Sequence, residues 1–210
     1  MKVRSALLLA TLLCGASLFA QQAGSNSLWN LRLGSTDYRL GAYVGTNLKY
    51  SALKDDPAGY LDIKAGITVN SKWAAGLSVT GLYYDKRLRE IVQDGTYHLY
   101  AGYAGLFVER MFSLTGDLRF SVSVFSGQGE VYYMYDREYR EDRPWYQETI
   151  DKETIYVFEP ALEIQHSIGG NFFLGLTGSY RMTSPLNLVN TPGDILRTFS
   201  GGISVKYGVF

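Results

Sequence analysis

Apolar and polar residues alternate one for one along most of the chain. From Leu40, one set reads Leu40, Ala42, Val44, Thr46, Leu48 and Tyr50, and the interleaved set reads Arg39, Gly41, Tyr43, Gly45, Asn47 and Lys49. The pattern returns at Leu61, Ile63, Ala65, Ile67 and Val69 against Asp62, Lys64, Gly66 and Thr68, then at Trp73, Ala75, Leu77, Val79, Gly81 and Tyr83 against Ala74, Gly76, Ser78 and Thr80. Successive side chains of a β-strand face opposite ways, so period two predicts strands with one apolar and one small or charged face. Further segments of this kind centre on 96–110, where apolar residues fall on both parities, and on 118–124, 156–165, 172–181 and 199–207. That makes eight predicted strands.

The connections alternate too. Residues 70–72, 111–116 and 167–171 are short, whereas Leu53 to Gly59, Asp85 to Gly95, Tyr133 to Glu153 and Thr183 to Ile195 are longer and more polar. Short turns at one end and long loops at the other predict an all-β, eight-stranded antiparallel up-and-down transmembrane β-barrel with both chain ends on the turn side. Tyr50, Tyr60, Trp73, Tyr83, Tyr97, Tyr156, Tyr180 and Tyr207 fall near strand ends, where girdles are expected. Pro160 is expected to bring a bulge or bend. A soluble lipocalin-like ligand binder would alternate as well, with its apolar face inward. Against it, the interleaved face carries Gly, Ser, Thr and charges, which suit a narrow filled lumen better than a greasy pocket.

Residues 1–20, MKVRSALLLATLLCGASLFA, place Lys2 and Arg4 before an apolar run and small residues before Gln21. This is the three-part form of a cleaved signal peptide, too short in its apolar core to span a bilayer. The expected organisation is therefore signal peptide 1–20, a periplasmic segment 21–36 and a barrel 37–210. Leu28, Trp29, Leu31 and Leu33 fit either a short extra strand or an interfacial segment. The 20 Lys+Arg and 20 Asp+Glu cancel, which gives no electrostatic footprint for nucleic acid. The single cysteine, Cys14, excludes an internal disulfide framework.

The run Phe199 to Phe210 resembles the last strand of Gram-negative outer-membrane proteins, in which the terminal aromatic serves the barrel-assembly machinery. Residues 38–210 are similar in architecture to small outer-membrane barrels of the OmpA/OmpX type, and the Gln21-Gln22 start resembles exported Bacteroidetes-type proteins. The resemblance implies residence in the bacterial outer membrane, contact with its lipid and lipopolysaccharide, and Tyr207 and Phe210 as the assembly signal. These two are out of phase, and a bulge at Gly208 would restore the phase.

The inward parity carries Arg39, Lys49, Asp62, Lys64, Arg119, Glu159, Glu163, Arg181 and Lys206. Charges of both signs in a narrow lumen must pair, so a structural ion-pair network is expected, with a narrow ion path as the functional alternative. Eight strands leave little open channel, which argues against a nutrient porin. Glu109, Arg110 and the 85–87 charges read as ordinary strand-end residues. Within 133–153, Tyr135, Tyr139, Arg143, Trp145 and Tyr146 are candidates for a loop surface that binds an unknown extracellular partner. No metal-ligand spacing or cofactor fingerprint appears, and no catalytic cluster stands out. The enzymatic alternative, by resemblance to lipid A-modifying barrels, would rest on His98, since His166 has outward parity beside a turn. The reading favoured is a non-enzymatic surface protein whose loops do the work.

Overall fold

The computed structural model describes residues 28–33, 36–53, 56–84, 96–136, 147–188 and 191–210. The segment 1–20 and the tip 137–146 lie outside the described residues. Nine strands form one antiparallel sheet in chain order: β1 Trp29–Leu33, β2 Thr36–Leu53, β3 Asp56–Val69, β4 Trp73–Tyr84, β5 Thr96–Ser113, β6 Leu118–Asp136, β7 Gln147–Gly169, β8 Phe172–Thr183 and β9 Thr198–Val209. Pairing of β9 back onto β2, from Ala42↔Val209 to Ser51↔Ser200, closes β2–β9 into a ring of eight. Closure gives every ring strand two neighbours, as a sheet in lipid requires.

The apolar parity faces outward. Leu48, Ile63, Leu77, Leu106, Tyr156, Leu176 and Phe199 are all more than half exposed, while the interleaved Asn47, Asp62, Ser78, Phe107, Glu159, Arg181 and Lys206 are buried. This overturns the lipocalin-like alternative, whose apolar set would point in. Tyr50, Tyr83, Tyr100, Tyr132, Tyr156, Tyr180 and Phe199 line the outside near the long-loop end, and Trp73, Phe112, Phe120, Phe172 and Tyr207 do so near the short turns. Tyr60, expected in the girdle, instead points inward and is 1 % exposed. Its even number on β3 shares the parity of Asp62 and Lys64. The side chain of Tyr97 lies outside the described residues.

β1 lies on the same edge of β2 as β9. The backbone N–H and C=O of Arg39 both bond Asn70 of the β3–β4 turn, so those of Leu40 point the other way, where the Leu28 N–H donates to the Leu40 carbonyl. Trp29 faces Leu40 and Val209 faces Ala42, so β1 takes up this edge where β9 stops. Gly41 stands between them. A Cβ there would collide with the Val209 carbonyl and the Thr68 hydroxyl, so only glycine admits the chain end this closely.

Three expected irregularities are placed differently. β3 starts at Asp56, which pairs with Leu53, so only two residues separate β2 from β3 where a longer loop was expected. β7 loses its β8 partners at Glu159 and Pro160, yet resumes the same register at Ala161↔Ser179. Bulges occur instead at Tyr133/Met134 and Ser167/Gly169. The proline lacks an N–H but leaves the residue count equal on both strands. Gly208 carries no bulge, and Tyr207, Gly208 and Val209 face Val44, Tyr43 and Ala42 in unbroken order.

On β3, Gly66 lets the Phe107 ring cross the lumen: a Cβ there would sit 2.8 Å from the ring's Cζ. Valine at Gly66 is expected to overpack this level by about 1–3 kcal/mol. The variant should lose its fast-migrating unboiled gel band at a lower temperature than the parent, while Ala65→Val on the outward face of the same strand leaves that temperature unchanged.

Candidate functional site

Half of all ring side chains converge on the lumen, which is filled at three levels. Toward the short-turn end lie Glu109, Glu163 and Lys206, all buried. The Lys206 ammonium stands 2.8 Å from a carboxylate oxygen of each. The Tyr43 hydroxyl donates to Glu109 at 2.7 Å, the Ser204 hydroxyl donates to Glu163, and Gln165 spans Glu109 and Ser121 at 3.4 Å. Beneath this cluster the Phe210 ring stacks on Tyr43 (5.3 Å between centroids) and meets Phe173 edge-on at 4.9 Å. The Arg119 guanidinium lies over the Phe173 and Phe210 rings at 4.5 and 4.9 Å.

At mid-height one carboxylate gathers four partners. Glu159 accepts from Lys49 at 2.6 Å, from the Arg181 Nε at 3.0 Å, from Ser179 at 2.7 Å and from Tyr103 at 3.2 Å. Arg181 is fully buried, and its guanidinium lies 3.8 Å from the centre of the Tyr60 ring. Asp62 accepts from Asn47, Ser78 and Thr80, with Lys64 and Lys49 farther off at 3.6 and 3.9 Å. Charge-assisted bonds of this kind offset part of the desolvation cost that a buried ion carries. The cavity among Asn47, Lys49, Asp62, Tyr103 and Glu159 measures about 10 Å³, at the lower limit for a single water.

The third level, at the long-loop end, is apolar. Leu53, Leu82, Tyr84, Leu99, Val131, Ile155 and Val157 point inward. The β8–β9 connection folds over them and buries Leu186, Leu188, Ile195 and Leu196. Polar contacts hold this cap: Tyr133 with Thr191 at 2.6 Å, Arg197 Nε to the Thr183 carbonyl at 2.9 Å, and the Asn187 side-chain amide to Glu153 at 3.2 Å. The segment 183–195 was expected to be an outward polar loop. Its leucines, spaced two apart beyond the strand, carried the contrary signal.

Of the nine charged residues singled out in the sequence, Lys49, Asp62, Lys64, Glu159, Glu163, Arg181 and Lys206 stand in these clusters. Arg39 does not, because it is exposed at the rim below the ring, where β2 runs on to pair with β1. Arg119 sits at the lower mouth, half-buried against rings and not against a carboxylate. Glu109, read as a strand-end charge, is a buried centre of the lower cluster. Its parity matches Tyr103 and Phe107, but the mixed parities of 96–110 concealed it. Tyr207 points outward against Phe172 (4.7 Å) and Phe210 inward, so the two terminal aromatics serve opposite faces. His166 is exposed on the outer face. The side chains of His98 and Tyr135 lie outside the described residues, as do Tyr139, Arg143, Trp145 and Tyr146. Among the described residues no group of His, Cys, Asp and Glu could hold a metal.

No family model matches the chain, and no curated protein does. Solved structures similar to it include small outer-membrane eight-stranded β-barrels. Neisserial surface protein A is 15 % identical, with 82 % of this chain and 95 % of that one covered at a TM-score of 0.46. For the N-terminal barrel domain of Pseudomonas aeruginosa OprF the values are 14 %, 80 %, 96 % and 0.44. For Ail, the attachment invasion locus protein of Yersinia pestis, they are 12 %, 80 %, 97 % and 0.44.

Two outcomes follow from the filled lumen. Glu159→Gln strands Lys49 and Arg181 beside a neutral amide and should lower unfolding stability in detergent by about 3–5 kcal/mol, whereas Glu130→Gln, which breaks the exposed pair with Lys152, should cost about 0–1 kcal/mol. Denaturant titration of the refolded barrels measures both. In planar bilayers the parent should give no open-channel conductance steps.

Proposed function

We propose that this protein is an exported outer-membrane barrel with a structural or adhesive role, acting non-enzymatically through its long-loop rim and not through its lumen. The observation that carries this reading is the filling of the lumen at all three levels, which leaves no path for a nutrient and little for an ion. The apolar outward belt supports residence in a membrane, and the amino-terminal segment supports export.

The rim offers one prominent element. On β6 the outward residues change from Val122 and Val124 to Ser126, Gln128 and Glu130, and on β7 to Thr154 and Lys152, with Glu130 and Lys152 paired at 2.7 Å. The apolar belt ends there, yet β6 runs on to Asp136 and β7 begins at Gln147. At a rise of about 3.4 Å per residue, the arm from Gln128 to Asp136 extends roughly 27 Å along the strand. Its tip holds Tyr139, Arg143, Trp145 and Tyr146, with Tyr135 on the arm; such residue types dominate binding hot spots. In this reading the tip meets an extracellular partner, the belt meets lipid and lipopolysaccharide, and the barrel-assembly machinery acts only during biogenesis.

Trypsin added to intact cells should cut at Arg137 or Arg140 and leave the barrel whole; cleavage only after permeabilisation would mean the opposite orientation. Replacing 137–146 by an equally long Gly-Ser segment should keep the heat-modifiable band and abolish attachment of expressing cells to immobilised matrix proteins and glycans. Attachment unchanged by the replacement, or no attachment by the parent to any of them, would reject the adhesive role.

A further inference from the structure

Charge interrupts the outward apolar face at two places, and they differ. Lys152 is neutralised by Glu130 at 2.7 Å near the long-loop end. Arg110, on the outward parity of β5 near the short turns, has no carboxylate within ion-pair distance among the described residues. Its guanidinium lies instead 4.7 Å from the centre of the Trp73 ring and 5.4 Å from that of Phe112. Trp73 faces Arg110 directly across the β4–β5 ladder, and Phe112 is the next outward residue on its own strand.

A guanidinium is planar, with its donors directed outward in the plane. Ring contacts of this kind attract the charge without using the N–H donors, which stay available to a bidentate acceptor. Trp73, Phe112 and Phe120 also mark this height as the lower aromatic girdle, the level of the lipid headgroups. An unneutralised cation on the lipid face is costly at mid-membrane and nearly free at the interface, where phosphate supplies the missing charge.

We propose that Arg110, positioned by Trp73 and Phe112, is a binding site for the phosphodiester of a phospholipid in the leaflet nearest the short turns, with the acyl chains lying along Ala75, Val108 and Val122. The assignment rests on the outward face being lipid-facing, as argued above. A phospholipid satisfies both halves of the site, because its phosphate takes the fork and its chains cover the exposed apolar strand faces beside it.

The test is native mass spectrometry of the full refolded barrel in detergent, with phosphatidylglycerol, with diacylglycerol of the same chains, and with inorganic phosphate. The parent should retain phosphatidylglycerol, and Arg110→Gln should weaken retention about tenfold, the loss of one charge-assisted contact. Arg110→Lys should fall between them, Glu130→Gln should match the parent, and diacylglycerol should bind weakly and alike to all. Equal phosphatidylglycerol retention by Arg110→Gln overturns the site. Displacement of the lipid from the parent by inorganic phosphate overturns the lipid as its ligand. The heat-modifiable band confirms that each variant is folded. Solubility of the parent without detergent would instead sink the membrane reading itself, before any lipid is added.

Discussion

Closing the sheet between β2 and β9 commits half of every ring strand to a space too narrow for bulk water, and the rest of the molecule answers to that. An eight-stranded ring has an interior only as wide as the side chains that fill it. Inward positions therefore favour small, apolar or partnered side chains, although the Tyr60 hydroxyl and the two terminal nitrogens of Arg181 are buried without a hydrogen-bond partner. The lumen meets the demand in layers: rings at the lower mouth, shared carboxylates through the middle, aliphatic side chains above, and a folded connection on top. Glu159 concentrates the solution, since two cations and two hydroxyls converge on its two oxygens. It does so beside Pro160, where β7 and β8 lose their pairing while β7 keeps its partners on β6.

The alternation of apolar and small or charged residues made the ring legible in the sequence. It did so because an apolar exterior and a crowded lumen sort the side chains of a strand strictly by face. Lys49, Asp62, Glu159 and Arg181 were visible for the same reason: a charge within a clean alternating run has only one side to go to. Glu109 was not visible, since Gly, Ala and Tyr occupy both parities of β5 and blur its phase. Tyr60 misled because tyrosine suits both environments, a girdle outside and a cation–π platform inside. Which carboxylate meets which lysine was never in the sequence. Lys49 and Glu159 lie 110 positions apart and meet only through the order and shear of the closed ring.

The connections resisted reading for a different reason. Loop length and polarity say where a chain leaves the ring, but not whether it stands up or folds back. The β6–β7 arms stay paired well beyond the apolar belt, whereas the β8–β9 connection turns inward and seals the mouth. Leu186, Leu188, Ile195 and Leu196 decide this, because the ring below offers them an apolar floor that the outside does not.

The first and last strands are arranged along a single edge of β2. Trp29 faces Leu40, Val209 faces Ala42, and only Gly41 separates them. The covalent order of the ring is thus nearly circular, with its one break filled on both sides. An intruding strand finds no unpaired stretch of β2 at the seam, because the amino-terminal hairpin occupies what the last strand leaves bare. The place where a linear chain would make a barrel weakest is held by its first strand.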